Sequence, residues 1–345
     1  MVTSQRFDTS ASGPAAGRVA AAVRTRLYRH GRLVLENFPV AEISERLGDR
    51  DCLVWLDLRD PTPGDLDLVG QEFGLHELAV EDAVTRDQRP KLDRYASHLF
   101  LSAYAVVLDP AAATLHTSEI AAFVTRNAVI TVRTGDGVDI DDVVARWDSS
   151  PDLVAHGVGF LVYALLDHIV DGHFAAVQRL DDTIEELEDV LFADDGKRLD
   201  TVQRRSYELR KNLVLLRRVV LPMREVVNAL MRRDLDVVAE PMVPYYEDVY
   251  DHVLRVTEWT ESLRDLVTTV LETNLTIQGN RLNLIMKKVT SWAAIIAVPT
   301  AITGFYGQNL PYPGFATYWG FLFSTALILA LSSALYATFK HRDWL

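Results

Sequence analysis

The stretch from Val289 to Phe339 contains no Asp, Glu, Lys, Arg or His, and it constrains the fold more than any other feature of this chain. It holds two apolar runs, residues 289–305 and 318–339. A helix needs about 20 residues, at about 1.5 Å each, to cross a hydrocarbon core of about 30 Å. We therefore predict two transmembrane helices. The alternative is a pair of buried helices in a soluble protein, which rarely lack charges on both helices and on the turn between them.

Basic residues flank the two predicted spans and indicate their orientation. Two lysines, residues 287–288, precede the first span, and Lys340 and Arg342 follow the second, whereas the connecting loop, residues 306–317, carries no charge. Positive flanks stay on the cytoplasmic side of a membrane. We predict a multi-pass protein of the cell membrane (inner or plasma membrane) with both termini in the cytoplasm and residues 340–345 as a cytoplasmic tail.

The composition excludes several classes of protein. The net charge is −13, whereas binding to phosphates needs a basic surface, so we expect no nucleic-acid partner. A single cysteine, Cys52, excludes an internal disulfide framework. Without a Ser/His/Asp or HExxH arrangement, we expect no enzyme. Residues 1–25 lack the apolar core of a signal peptide and predict a disordered segment.

Residues 26–240 predict a cytoplasmic domain of mixed α/β and helical structure. The strand candidates are RLVLENF, CLVWLDL, HLFLSAYAVVL and EIAAFVTRNAVITVRT. Residues 66–84 predict a helix, and from about residue 158 the apolar spacing is helical. The acidic segment 181–189 is typical of a solvated helix face, and a cation-attracting rim near a pore is the alternative.

A helical pattern then runs for some 60 residues, interrupted only by Pro299. It begins near Tyr245 and ends near residue 304, so it joins the cytoplasmic segment 241–288 to the first predicted span, 289–305. Such a helix is too long for the core of a small domain. We therefore predict a stalk helix that continues into the membrane.

Apart from Met286, one stripe of this helix is mostly small or polar on both sides of the membrane boundary. Steps of three and four residues give a membrane half and a cytoplasmic half, which contain Asn283, Met286, Thr290, Ala293, Ala297, Thr300 and Gly304, and Gly279, Thr276, Glu272, Thr269, Asp265, Ser262 and Glu258. Small-residue helix packing explains the first half, and a wet amphipathic face explains the second. Because the two halves form one stripe with a seven-residue period, we favour a wet channel enclosed by several copies of the chain.

The loop between the spans places two amides at the predicted outer mouth. Its first residues are Tyr306, Gly307, Gln308 and Asn309. Amide and backbone oxygens suit a hard divalent cation, and Mg²⁺ gives up its water shell reluctantly. A ring of neutral oxygens can therefore hold a hydrated ion that must also leave. A tight turn without an ion-binding role is the alternative.

The chain resembles the CorA family of magnesium and cobalt transporters over about 270 residues. The matching blocks are GLHELAVEDAVTRDQRPKLDRY (74–95), ELRKNLVLLRRVVLPMREVV (208–227), VPYYEDVYDHV (243–253), NRLNLIMKKVT (280–290), YGQN (306–309) and the closing Trp344-Leu345. The resemblance implies an α+β membrane protein that forms a funnel-shaped homopentamer. It also implies a mixed α/β cytoplasmic domain, a long stalk helix that lines the pore and a second span outside it.

The resemblance also implies roles for particular residues. Asn309 would receive hydrated Mg²⁺ in a loop that is Gly-Met-Asn in the family, with Gln308 in place of the usual Met. The family's pore positions fall on members of the stripe, namely Glu272, Asn283, Met286, Thr300 and Gly304. Its regulatory Mg²⁺ ligands fall on Asp82 and Asp248, as acidic pairs between neighbouring subunits.

The expected function is a channel-like transporter for potential-driven influx of Mg²⁺, with Co²⁺ or Ni²⁺ as further ions, gated by cytoplasmic Mg²⁺. Mg²⁺ would be both transported and regulatory, with no organic cofactor. Gln308 and a loop without the acidic residue that often follows it leave the ion preference open. A zinc or other transition-metal transporter of the same family is the alternative. A membrane-anchored metal sensor without transport is the alternative from another class.

Overall fold

A computed structural model of the chain describes residues 22–47, 51–85, 88–109, 113–135, 137–192, 199–232, 235, 237–308, 311 and 314–345. It divides into two compact units. The first unit contains the residues up to Glu186 together with Tyr207–Asp265, and the second contains Leu187–Ser206 together with Leu266–Leu345.

The first unit contains a seven-stranded sheet. Its strands are β1 (Ala22–Arg29), β2 (Arg32–Glu36), β3 (Cys52–Arg59), β4 (Lys91–Arg94), β5 (Leu99–Asp109), β6 (Thr114–Val124) and β7 (Ala128–Arg133). Their order is β2-β1-β3-β7-β6-β5-β4, with β3 and β7 parallel and the other neighbours antiparallel. Three of the four predicted strand segments are therefore confirmed as β2, β3 and β5, whereas the fourth, EIAAFVTRNAVITVRT, is divided between β6 and β7.

Strand β1 begins inside the segment that the sequence predicts to be disordered. Residues 22–25 belong to the strand, and residues 1–21 lie outside the described part of the chain. Charged side chains in the strand obscure its apolar pattern. Arg24 and Arg26 both pair with Glu36 of β2, and Arg26 also pairs with Asp148.

The α-helices in the described part of the chain are, in order, α1 (Ile43–Leu47), α2 (Pro63–Phe73), α3 (Glu77–Val84), α4 (Ile140–Ser149), α5 (Pro151–Val154), α6 (Val158–Phe192), α7 (Leu199–Leu230), α8 (Val243–Tyr306) and α9 (Tyr318–His341). The single helix predicted over 66–84 is wrong, because α2 and α3 are separate. Gly74 ends α2 in the left-handed conformation, with φ 63°, which glycine adopts without a steric penalty.

The two faces of the sheet pack against different helices. Alternate residues of β3, including Val54 and Leu56, join a core with α2 and α3. On the opposite face, Trp55 packs edge-on against Trp147 of α4, with ring centroids 4.8 Å apart. His173 of α6 is fully buried with its Nε2 2.7 Å from the carbonyl oxygen of Tyr104 in β5. Helix α6, up to Glu186, therefore belongs to the core of the first unit.

Among the described residues, three helical segments are long and apolar enough to cross a membrane: α6, the segment Glu240–Tyr306 that contains α8, and α9. In the most apolar stretch of α6, 67 % of the residues are buried inside the protein, whereas in the corresponding stretches of the other two segments 6 % and 0 % are buried. A core helix buries its apolar residues in protein, and a membrane helix leaves them for lipid. The burial therefore agrees with two spans, one at the end of α8 and one in α9.

Helix α8 is the long helix predicted from the sequence. It has 64 residues and continues past residue 288 into the predicted first span, with Pro299 inside it. Helix α9 covers the predicted second span and extends to His341. Its first turn is capped by the hydroxyl oxygen of Thr317, which accepts a hydrogen bond from the Gly320 amide at 3.2 Å.

Candidate ion pathway and metal site

The predicted pore-lining residues of α8 are all exposed in the single chain. They are Glu272, Asn283, Met286, Thr290, Ala297, Thr300 and Gly304. A different face of the same segment is buried or half-buried, at Ser291, Ala294, Ile295, Val298 and Ile302. The small and polar stripe therefore remains available to line a pore with other copies of the chain.

Thr300 shows how this stripe can offer oxygen to an ion. Its hydroxyl donates a hydrogen bond to the Ile296 carbonyl oxygen of its own helix, at 2.9 Å. A hydroxyl oxygen has two acceptor lone pairs, and this bond uses only its hydrogen. The exposed oxygen of Thr300 can therefore accept hydrogen bonds from the water shell of a cation.

Helix α8 ends at the predicted outer mouth. Tyr306 is its last residue, and the amide of Gly307 donates to the Thr303 carbonyl oxygen at 2.8 Å. A Cβ at Gly307 would lie 2.9 Å from that same oxygen, so the tight exit from the helix favours glycine. Gln308 is exposed. Asn309, the residue predicted to receive the ion, lies outside the described residues.

Asp82 in α3 has two partners within the chain. Gln88 Nε2 and Lys91 Nζ donate to its two carboxylate oxygens at 2.6 and 2.7 Å, and Lys91 also contacts Asp93 at 2.9 Å. Burial acts to raise the pKa of Asp82, but the hydrogen bonds from Lys91 and Gln88 outweigh it and hold that pKa below its usual value. Asp82 is therefore a carboxylate with a counter-charge beside it.

Asp248 belongs to a cluster that can hold a metal ion. Ligand atoms of Asp248, His252 and Asp167 all lie within 4.8 Å of one another. His252 Nδ1 is 3.7 Å from Asp248 Oδ2, one helical turn along α8, and Asp167 comes from α6. Two carboxylates and an imidazole are ligands for a divalent cation, including transition metals.

Asp167 and His252 were not predicted from the sequence. The spacing of four residues between Asp248 and His252, and between Asp167 and Asp171, places each pair on one helix face and was the available signal. In one chain, Asp248 contacts His252 while Asp82 contacts Gln88 and Lys91, so the two predicted regulatory acids belong to different clusters.

Arg146 of α4 neutralises part of this cluster. Its guanidinium contacts the carboxylate of Asp167 and lies 3.4 Å from that of Asp171. The same charges act on the hydroxyl of Tyr163. Burial raises its pKa, Arg146 lowers it, and Asp248 and Asp171 raise it. Together with the neighbouring Asp171, the two acids of the cluster therefore share one permanent cation.

Comparison with known proteins identifies the family. The family described as CorA-like Mg²⁺ transporter protein matches residues 51–341. The cobalt/magnesium transport protein CorA of Thermotoga maritima is 31 % identical over 279 residues, which cover 80 % of this chain and 79 % of the relative. The putative metal ion transporter YfjQ of Bacillus subtilis is 30 % identical over 313 residues, which cover 90 % and 95 %.

Solved structures share the fold. The complete structure of the CorA magnesium transporter from Methanocaldococcus jannaschii superposes with a TM-score of 0.74 at 22 % identity, covering 95 % of this chain and all of the other. The full-length CmaX protein superposes with a TM-score of 0.65 at 20 % identity, covering 95 % and 99 %. The resemblance inferred from the sequence is thus confirmed: the chain belongs to the CorA family.

Proposed function

We propose that this protein is a channel-like transporter that carries Mg²⁺, and with it Co²⁺ and Ni²⁺, into the cell. The single observation that carries the proposal is the exposed stripe of α8 in a chain of this family. One helix cannot enclose a pore, so several copies must surround it, and the family resemblance implies a homopentamer with α8 at the axis and α9 toward lipid. With both termini in the cytoplasm, a membrane potential drives a divalent cation inward with about 4.6 kcal/mol per 100 mV.

The ion meets neutral oxygens first and a carboxylate last. Tyr306, Gly307, Gln308 and Asn309 form the outer mouth, where amide and backbone oxygens hold the ion through its water shell. Thr300 continues the oxygen lining within the membrane. Further along, the pore is lined by the stripe residues Ala297, Thr290, Met286, Asn283 and, near the cytoplasmic end, Glu272.

Cytoplasmic Mg²⁺ closes this channel by binding to the acids of the first unit. Asp82 and Asp248 take the cation at subunit boundaries, and Asp167 and His252 complete the ligand set around Asp248. Bound cations offset repulsion between carboxylates and favour the closed, symmetric ring. When Mg²⁺ falls, that repulsion loosens the ring and the pore opens. Mg²⁺ is then both cargo and regulator.

Gln308 favours one second candidate, a transporter of zinc or another transition metal. This exposed amide stands where the family usually has a thioether, so the mouth of this protein has a different ligand chemistry. The stripe argues against a membrane-anchored sensor, because an anchor needs no polar or small residues along one face.

Liposomes containing an internal indicator, held at an inside-negative potential, test the proposal with Mg²⁺, Co²⁺, Ni²⁺ and Zn²⁺. Mg²⁺ entry that Asn309→Ala abolishes supports it. Thr300→Val should lower entry about fivefold, because the loss of a hydroxyl removes about 1 kcal/mol of interaction with the passing ion. Thr325→Val is the matched control, since the Thr325 hydroxyl bonds to its own helix α9 in the same way, at 2.9 Å. Zn²⁺ entry without Mg²⁺ would favour the second candidate, and no entry of any ion would refute transport.

A further inference from the structure

Arg146 already contacts one ligand of the candidate metal cluster. It contacts both Asp167 and Asp171, which lie one turn apart on α6. The side chain of Asp167 is 13 % exposed and that of Asp171 is 58 % exposed. Water screens a buried charge less than an exposed one, so Asp167 depends more strongly on a cation beside it.

A divalent cation and the guanidinium compete for the same carboxylate. The cluster needs a lone pair of Asp167 to meet those of Asp248 and His252 within 4.8 Å. Arg146 donates to Asp167, and two cations held on one carboxylate repel each other. Because Asp171 is a second partner within reach, Arg146 can release Asp167 without losing its counter-charge.

We propose that Arg146 is a tethered cation that occupies Asp167 in the metal-free protein and is displaced toward Asp171 when a divalent cation binds. It thereby sets the concentration at which the cluster of Asp167, Asp248 and His252 fills. This inference rests on the proposed function, which assigns the cluster to regulation by cytoplasmic cations.

A purely structural role of Arg146 between α4 and α6 predicts the opposite effect on metal binding. If Arg146 only holds the two helices together, its removal distorts the cluster and weakens metal binding. If Arg146 competes with the metal, its removal tightens binding. Loss of Asp171 then weakens binding, because Arg146 no longer has a second partner.

The test is a titration of the full-length protein in detergent with Mn²⁺, with free Mn²⁺ measured by electron paramagnetic resonance. The relevant sites are the class that disappears in Asp248→Asn. We expect Arg146→Gln to tighten this class about three- to tenfold and Asp171→Asn to weaken it by about threefold. Arg146→Lys should bind almost as the unchanged protein does. Arg217→Gln is the matched control, because Arg217 forms an exposed ion pair with Glu261 at 3.4 Å in the same unit.

Unchanged or weaker binding in a folded Arg146→Gln protein would overturn the inference while leaving the metal cluster in place. If Arg146→Gln fails to fold, Asp171→Asn decides, since unchanged or tighter binding there also overturns it. If Asp248→Asn removes no class of sites, the cluster is not a metal site and the inference falls with it. Flux in liposomes remains a separate test of transport.

Discussion

His173 is a titratable residue whose burial makes the fold sensitive to acid. Its Nε2–H donates to the Tyr104 carbonyl oxygen, and its Nδ1 is buried without a hydrogen-bond partner in the described part of the chain. Burial lowers the pKa of His173 from 6.5 to about 4, against the opposing effect of the bond to Tyr104. The folded protein therefore keeps this imidazole neutral.

We predict that His173 makes the protein less stable between about pH 6.5 and pH 4. In that window the unfolded chain binds a proton at His173 that the folded chain does not. The free energy of unfolding therefore falls as pH falls, by at most about 1.4 kcal/mol per pH unit. Thermal unfolding of the full chain in detergent should show a shallower acid slope for His173→Gln. His168→Gln, on the same helix but only half-buried, should keep the original slope; equal slopes for the two variants would contradict the prediction.

At the scale of residues, the sequence indicates which side chains can bind a metal better than it indicates which side chains contact one another. Asp82 and Asp248 could be selected because they match positions of a known family. Asp167 could not, because it approaches Asp248 from another helix, 81 positions earlier in the chain. The partners of Asp82 were also beyond sequence reasoning, since Lys91 reaches it from β4.

At the scale of elements, uninterrupted periodicity was the most reliable guide. Helix α8 was predicted because some 60 residues keep a helical pattern with Pro299 as the single interruption, and the structure has 64 helical residues there. Strand β4, Lys91–Arg94, was not predicted because a short charged segment has no apolar alternation. The break between α2 and α3 at Gly74 was not predicted because the helical pattern continues on both sides of it.

Met286 is the large side chain of an otherwise small and polar stripe, and it is 64 % exposed in the single chain. In a ring of copies, such apolar side chains narrow the pore and can expel water, which closes it without a plug. Val289 or Thr290, about one turn along, would contribute to the same constriction.

We predict that Met286→Gly raises resting Mg²⁺ flux in liposomes. Lowering the barrier by about 1.4 kcal/mol would raise the flux about tenfold, and removal of the whole apolar ring should achieve at least that. Glycine also weakens a helix by about 1 kcal/mol. Leu284→Gly, at a position off the stripe that is 52 % exposed on the same helix, controls for this weakening. Equal flux from the two glycine variants would argue against a gate at Met286.

At the scale of the whole molecule, a single chain supplies only part of the wall of the proposed pore. The predicted pore-lining residues of α8 are exposed, and so are most apolar residues of α9. Exposed faces of these two kinds call for different partners, other copies of the chain for the stripe and lipid for α9. The periodicity of the sequence predicts that several copies assemble, whereas the number five comes from the family resemblance, because one chain contains only one wall of the pore.

The proposed regulation also depends on several copies of the chain assembling, and it leads to the last prediction. If cations bridge Asp82 and Asp248 between neighbouring copies, Mg²⁺ should protect the intact protein from limited proteolysis by favouring the closed ring. Asp82→Ala combined with Asp248→Ala should raise the half-protecting Mg²⁺ concentration at least tenfold, which corresponds to about 1.4 kcal/mol of binding free energy. Asp67→Ala combined with Glu225→Ala removes the same charge from exposed positions on α2 and α7 and should leave protection unchanged. Full protection of the first double variant at the original concentration would show that Mg²⁺ closes the channel elsewhere, whereas a parallel loss in both would indicate an effect of net charge alone.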